Sequence, residues 1–134
     1  MKKGFRELVA EANAVVKTYS VQEAQSFLSS DDVVFIDLRE EAELIRDGII
    51  PAAVHVPRGM LEFVIDPDSP YHNKVFSSGK QFIFYCSAGS RSALGTQVAQ
   101  VMGLGTVAHV GGGMKAWKET GAPVNAYEPY DTMQ

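Results

Sequence analysis

The sequence predicts an α/β fold, a mainly parallel sheet with helices on both faces, from two observations. Residues 33–36 form a continuous apolar run, the pattern of a strand covered on both faces, and residues 81–86 form an apolar, aromatic-rich run of strand length. Segments with apolar residues at helical spacing lie between such runs. Strands that alternate with helices favour a parallel sheet joined by helical crossovers.

The first half of the chain contains three predicted helices. Residues 5–17 form an amphipathic helix expected to pack on the domain, with a dimer contact as the alternative. Ser20 and Glu23 have the spacing of a capping box and open a helix that runs to about Leu28. Residues 40–46 form a short acidic helix. The apolar positions of the first helix are Phe5, Leu8, Val9, Ala12, Val15 and Val16.

The second half continues the alternation. Residues 53–56 are predicted to form a strand, and residues 106–110 form the last strand. Residues 58–79 are predicted to form a short helix and a long loop whose role the sequence does not indicate. The helix after residue 86 runs to about Met102 and is expected to turn Leu94, Val98, Val101 and Met102 toward the sheet. A final helix carries Trp117 into the core. The tail, 125–134, looks loosely held. A length of 134 residues without a linker predicts a single domain over 1–134.

Composition excludes several classes of function. The chain of 134 residues carries a net charge of -4 without a clustered basic stripe, which disfavours nucleic acid as a partner. No apolar segment has the length of a membrane span or the pattern of a signal peptide. One cysteine cannot form an internal disulfide, and no Cys/His spacing indicates a metal site. We expect a cytoplasmic protein without metal or cofactor.

The most informative stretch surrounds that single cysteine, Cys86. The strand ends on it, a loop of small residues follows, and a helical pattern begins near Arg91 and Ser92. Such a loop directs successive N–H groups inward, and the helix dipole adds positive charge, so an anion held there lies against sulfur. The same field favours the thiolate, which makes Cys86 the candidate nucleophile. The expected substrate-binding residues are Ser87, Ala88, Gly89, Ser90, Arg91 and Ser92.

Two charged residues follow the strand at 33–36, at the sheet edge where ligands bind in parallel sheets. Asp37 and Arg39 are candidates for support of the cysteine loop, and a simple salt bridge between them is the alternative. The histidines His55, His72 and His109 are expected to be structural.

Four stretches together resemble the single-domain rhodanese-like sulfurtransferases. Residues 86–91 read Cys-x-x-Gly-x-Arg, like the active-site loop of that family. Asp37-Leu38-Arg39, residues 48–57, and residues 111–117 with 121–124 resemble its other signatures, and the likeness spans roughly 18–124. Ile49 and Ala52 depart from the histidine and glycine usual in the family.

The resemblance implies a five-stranded parallel sheet, which the chain supplies if a short strand lies near Thr18 and Tyr19. It also implies that Cys86 takes sulfur from thiosulfate or a persulfide donor and passes it to a thiol or cyanide. The expected partners are a small-molecule sulfur donor and thiol acceptor, or a protein that donates or accepts sulfur. Asp37 would brace the loop through Ser92. The enzymatic alternative is a cysteine phosphatase or an arsenate reductase. The resemblance implies that the related dual-specificity phosphatases have a cysteine loop one residue longer than this one. The second alternative is a non-enzymatic module that carries sulfur or binds a protein partner.

Overall fold

A five-stranded parallel sheet forms the centre of the computed structural model, which describes residues 1–129. Its order is β1-β5-β4-β2-β3, and every pairing is parallel. The strands are β1 Lys17–Tyr19, β2 Val33–Asp37, β3 Val54–His55, β4 Gln81–Tyr85 and β5 Val107–Val110. The predicted α/β sheet is confirmed, including the short strand at Thr18 and Tyr19.

Six α-helices connect or flank the strands within the described residues. They are α1 Phe5–Val15, α2 Val21–Gln25, α3 Glu41–Asp47, α4 Leu61–Ile65, α5 Ser90–Val101 and α6 Gly113–Glu119. The predicted capping box opens α2, with Ser20 and Glu23 bonding each other's backbone. The region 58–79 contains more helix than predicted, because two 3₁₀ turns, Arg58–Met60 and Lys74–Ser77, accompany α4.

Alternate residues of the strands pack in two apolar layers. Phe35, Ile83 and Tyr85 face the side of the sheet covered by Trp117 of α6, whose predicted core position is confirmed by complete burial. Ile36, Phe82 and Phe84 face the other side, with residues of α4 and α5. The central strands are therefore covered on both faces, as their continuous apolar runs predicted.

Helix α5 turns a different side to the sheet than its large apolar residues predicted. Val101 is 82% exposed and Met102 40% exposed, and Leu94 and Val98 are only half-buried. The buried positions are Ser92, Ala93, Gly95, Thr96 and Ala99. Small residues allow the helix to lie close to its neighbours: a Cβ atom on Gly95 would stand 2.7 Å from the Leu38 side chain. Close packing outweighs apolar spacing here.

The two ends of the chain differ from expectation in detail. Helix α1 packs on α5, but only its Ala12 is buried, and Phe5, Leu8 and Val15 are exposed. Asn125, in the segment predicted to be loose, pairs through its backbone with Ile49 at 2.8 Å in both directions. The last five residues of the predicted tail, 130–134, lie outside the described residues. No helix in the described part of the chain has the length and apolarity needed to cross a membrane.

Candidate active site

Cys86 lies at the carboxyl edge of the sheet, one residue after β4 ends. The loop that follows reaches α5 through Gly89, which has a φ of 113°, a left-handed conformation that glycine adopts without a Cβ clash. Ala88 and Ser90 are exposed and Ser87 is half-buried, so the loop forms part of the protein surface above the buried cysteine.

The first turn of α6 holds the start of the loop in place. The N–H of Met114 donates to the Cys86 carbonyl at 2.8 Å, and the N–H of Lys115 donates to the Ser87 carbonyl at 3.0 Å. Gly113 makes this approach possible, since a Cβ atom there would stand 2.5 Å from the Cys86 carbonyl oxygen. The Gly111–Gly113 sequence therefore positions the cysteine loop as well as ending β5.

The Cys86 sulfur receives two backbone hydrogen bonds. The N–H of Gly89 lies 3.2 Å from Sγ and that of Ser92 lies 3.4 Å from it, while the Ser92 hydroxyl is 3.6 Å away. Cys86 is only 1% exposed. Amides that converge on a buried sulfur stabilise its anionic form, because they replace water as hydrogen-bond donors.

Arg91 bonds a carboxylate of α3, and no hydrogen bond from Arg91 to the Cys86 sulfur is among the described contacts. Its guanidinium donates to both carboxylate oxygens of Glu43, at 2.8 and 2.9 Å. These bonds are the largest cause that lowers the pKa of Glu43 to about 2. Glu43 also closes the α3 capping box with Glu40, so the pair ties the start of α5 to a fixed helix end. The sequence predicts an acidic helix here but does not indicate that Glu43 pairs with Arg91.

Asp37 and Arg39 form a buried ion pair. Arg39 donates to the Asp37 carboxylate from its backbone N–H, Nε and Nη2, at 2.8–3.3 Å, and Nη2 also bonds the Gly48 carbonyl at 2.7 Å. Asp37 and Tyr85 are in register on adjacent strands. Burial and the nearby Asp37 carboxylate raise the pKa of the Tyr85 hydroxyl above its ordinary range.

The Ser92 hydroxyl bonds His109, and the expected brace from Asp37 to Ser92 is not among the described contacts. Ser92 Oγ lies 2.9 Å from His109 Nδ1 and 3.2 Å from the Gly89 carbonyl. His109 stands in register with Phe84, whereas Asp37 is in register with Tyr85, one residue farther along β4. Successive strand residues face opposite sides of the sheet, so Asp37 lies on the side away from His109.

His109 is the site residue that sequence reasoning missed. It is 1% exposed, and its Nε2 lies 2.9 Å from Asn13 Oδ1 and 3.1 Å from Thr18 Oγ1. Burial lowers the pKa of the His109 ring. Its place near the carboxyl end of a strand adjacent to β4 was the available signal, since such strand ends meet at one edge.

The site therefore consists of a buried cysteine under converging loop amides, at the carboxyl edge of a parallel sheet where such folds bind their ligands. The chain matches the rhodanese-like domain over residues 20–120, and so belongs to the rhodanese-like family.

Two sequence relatives have names that refer to sulfur transfer. "Putative sulfurtransferase YtwF" of Bacillus subtilis (strain 168) is 31% identical over 111 residues, which cover 82% of this chain and 98% of that protein. A Mus musculus protein named "Thiosulfate sulfurtransferase/rhodanese-like domain-containing protein 3" is 28% identical over 106 residues, covering 75% of this chain and 68% of the relative.

Two similar solved structures have descriptions that name different activities. A Rhodopseudomonas palustris protein, described as of unknown function and a possible tyrosine phosphatase, has a TM-score of 0.90 and 43% identity, with coverage of 93% of this chain and 96% of that one. The polysulfide-sulfur transferase homodimer of Wolinella succinogenes has a TM-score of 0.70 and 25% identity, with coverage of 94% and 90%.

Proposed function

We propose that the protein is a sulfurtransferase that carries sulfur as a persulfide on Cys86. The Cys86 thiolate attacks the outer sulfur of thiosulfate, a new S–S bond forms, and the old S–S bond breaks with its electron pair leaving on sulfite. A thiolate or cyanide then attacks the outer sulfur of the persulfide and returns Cys86 to the thiolate. Transfer through a covalent intermediate predicts ping-pong kinetics.

The observation that carries the proposal is the pair of amide donors on the Cys86 sulfur, from Gly89 at 3.2 Å and Ser92 at 3.4 Å. The same loop amides are suited to a persulfide anion, whose charge lies on the outer sulfur. The loop from Cys86 to Arg91 has only six residues, a size that suits one sulfur atom better than a tetrahedral oxyanion bonded to sulfur.

The test is the mass of the purified protein after treatment with thiosulfate. We expect a gain of about 32 Da, one sulfur, because a thiolate is the only acceptor in this chemistry. Cys86→Ser should gain nothing, since the chain has no second cysteine. Equal labelling of the wild type and the variant would refute the persulfide on Cys86.

Phosphatase activity is the second candidate, and the description of the Rhodopseudomonas palustris structure is the observation that favours it. We expect no hydrolysis of aryl phosphates by the wild-type protein. One glycine inserted between Gly89 and Ser90 should widen the ring of amides and lower sulfur transfer. Aryl phosphate turnover by the wild type that disappears in Cys86→Ser would replace the sulfurtransferase assignment.

We infer a cytoplasmic setting, because the single cysteine must remain reduced to react. The acceptors are proposed to be small thiols or a protein thiol. Steady turnover with thiosulfate and cyanide would support an enzyme that acts on small molecules. A single round of loading, with release only to a protein thiol, would instead support a sulfur carrier.

A further inference from the structure

We propose that Ser92 and His109 form a proton relay that takes the proton of the Cys86 thiol to a surface cavity beside α1. The inference rests on the proposed function, since it explains how the nucleophile of that reaction becomes a thiolate. Ser92 contacts the reacting sulfur, and His109 is a positioning residue that acts through Ser92.

The relay is a continuous line of polar atoms. Cys86 Sγ lies 3.6 Å from Ser92 Oγ, which lies 2.9 Å from His109 Nδ1. On the other side of the ring, Nε2 faces Asn13 Oδ1 at 2.9 Å and Thr18 Oγ1 at 3.1 Å. Cys86, Ser92 and His109 are all buried, whereas Asn13 and Thr18 are exposed. The line therefore connects the buried sulfur to the protein surface.

The two partners of Nε2 suit two different forms of the neutral ring. Asn13 Oδ1 is an acceptor and matches a ring with its hydrogen on Nε2, which leaves Nδ1 free to accept from the Ser92 hydroxyl. Thr18 has a hydroxyl that can donate and matches a ring with an unprotonated Nε2. In that second form Nδ1–H donates to Ser92, and the Ser92 hydroxyl hydrogen is directed to the sulfur.

The thiol and the thiolate correspond to these two forms. As the S–H bond of Cys86 breaks, its proton forms a bond to Ser92 Oγ, and the former hydroxyl proton passes to His109 Nδ1. The Nε2–H bond breaks at the same time, and that proton goes to water or a buffer base at the surface. The ring is neutral before and after the transfer, and the negative charge remains on sulfur beside the Ser92 hydroxyl.

The surroundings of the ring favour transfer by a neutral histidine. Burial lowers the pKa of His109, which disfavours the imidazolium. The side chains that bond the ring from α1, β1 and α5 are the uncharged Asn13, Thr18 and Ser92, and Phe84 stands beside it on β4. Among residues 1–129, Cys86 is the one titratable group joined to the ring by these bonds. On α1, Glu11 forms an exposed ion pair with Lys3, which precedes the helix.

A cavity of about 250 Å³ provides the exit for the proton. Asn13, Thr18 and His109 line one part of it, and Ala88 and Ser90 of the cysteine loop line another. Its volume exceeds what one water molecule needs, and its lining offers polar partners. A solvent proton can thus be exchanged at Nε2 without opening the core around the sulfur.

The direct test is the tautomer of His109, followed by ¹⁵N NMR while Cys86 is titrated by its ultraviolet thiolate absorbance. We expect the hydrogen to move from Nε2 to Nδ1 with the same midpoint as thiolate formation. His55 and His72, which bond other backbone carbonyls, serve as controls in the same spectrum. Ser92→Ala keeps the amide donor to sulfur but should abolish this coupling. If the His109 tautomer stays the same while the Cys86 thiol is titrated, the relay is overturned.

Two variants at exposed positions test the same relay without disturbing the core. Asn13→Leu removes the acceptor that favours the thiol form, so alkylation by iodoacetamide below the midpoint should become about two- to fivefold faster. Thr18→Val removes the donor that favours the thiolate form, so the rate should fall by a similar factor. If the alkylation rate rose in both variants, or fell in both, the proposal would be overturned. None of these measurements uses thiosulfate, so they fail or succeed independently of the sulfurtransferase assignment.

Discussion

Arg91 forms a two-point ion pair with Glu43, and its guanidinium makes no hydrogen bond to the Cys86 sulfur among the described contacts. The arginine at the end of the loop thus acts as a link between α5 and α3. The positive charge reaches the site only over distance, whereas the link determines where the first amides of α5 stand. Loop geometry should be more sensitive to this pair than overall stability.

We expect Arg91→Ala and Glu43→Ala to lower sulfur transfer to a similar extent, about tenfold or more, because loosened loop amides no longer converge on the sulfur. The free energy of unfolding should fall by about 1 kcal/mol in Arg91→Ala, as for other partly exposed pairs, and by more in Glu43→Ala, which also removes the capping-box bond to the Glu40 N–H. Turnover with thiosulfate and cyanide, together with urea unfolding, measures the two effects.

The exposed pair Arg46–Asp47 on the same helix provides the matched control for that prediction. Arg46→Ala removes an ion pair from α3 without touching the loop and should leave turnover unchanged. If Arg91→Ala lowered activity while Glu43→Ala did not, the guanidinium would be acting on the anion and not as a link.

The Glu43 carboxyl predicts a loss of stability in acid. Its pKa is lowered from 4.5 to about 2 in the folded protein, mainly by the hydrogen bonds from Arg91. The contribution of the ionised Glu43 carboxylate to the free energy of unfolding is therefore fully present above pH 4.5 and is lost as the pH falls toward 2. Urea unfolding across this range should show a shallower fall for Glu43→Gln than for the wild type. Identical pH profiles would mean that the pair is not formed in solution.

Gly89→Val should abolish sulfur transfer. The φ of 113° is unfavourable for a β-branched residue, so the loop must change its path and misplace the Gly89 N–H, now 3.2 Å from the sulfur. Gly103→Val is the matched control, since its φ of 83° imposes similar strain at a site with open space around it. The control should lose stability but keep its turnover per folded molecule. Near-normal turnover by Gly89→Val would contradict the loop geometry.

Ala52→Gly should stabilise the protein. Pro51 and Ala52 are the central residues of a turn closed by the bond from Ala53 N–H to the Ile50 carbonyl at 3.0 Å, and Ala52 has a φ of 65°. Glycine relieves strain of about 1–2 kcal/mol but costs about 0.4–1 kcal/mol of unfolded-state entropy. We expect a net gain of about 0.5–1 kcal/mol, seen as a rise of a few degrees in Tm. A lower Tm would show that the alanine is unstrained.

Local sequence was sufficient to predict several of the elements and the place of Cys86 at a strand end. The continuous run 33–36, the capping box at Ser20 and the small residues after Cys86 each act over a few neighbouring positions, and each predicted its structure correctly. The sheet-facing side of α5 was predicted incorrectly from Val101 and Met102. Apolar spacing identifies a helix, but the closeness of its neighbours determines which side can approach them.

A cysteine at a strand end, before a tight loop and a helix, is predictable from the local sequence, because these features depend on backbone preferences within about ten residues. The residues that support that cysteine are distant in the chain, and local patterns do not predict them. Glu43 lies 48 residues from Arg91, and His109 lies 17 residues from Ser92 and 96 from Asn13. Chain topology brings these pairs together at one sheet edge, and the alternation of strand residues places His109, not Asp37, on the side of Ser92.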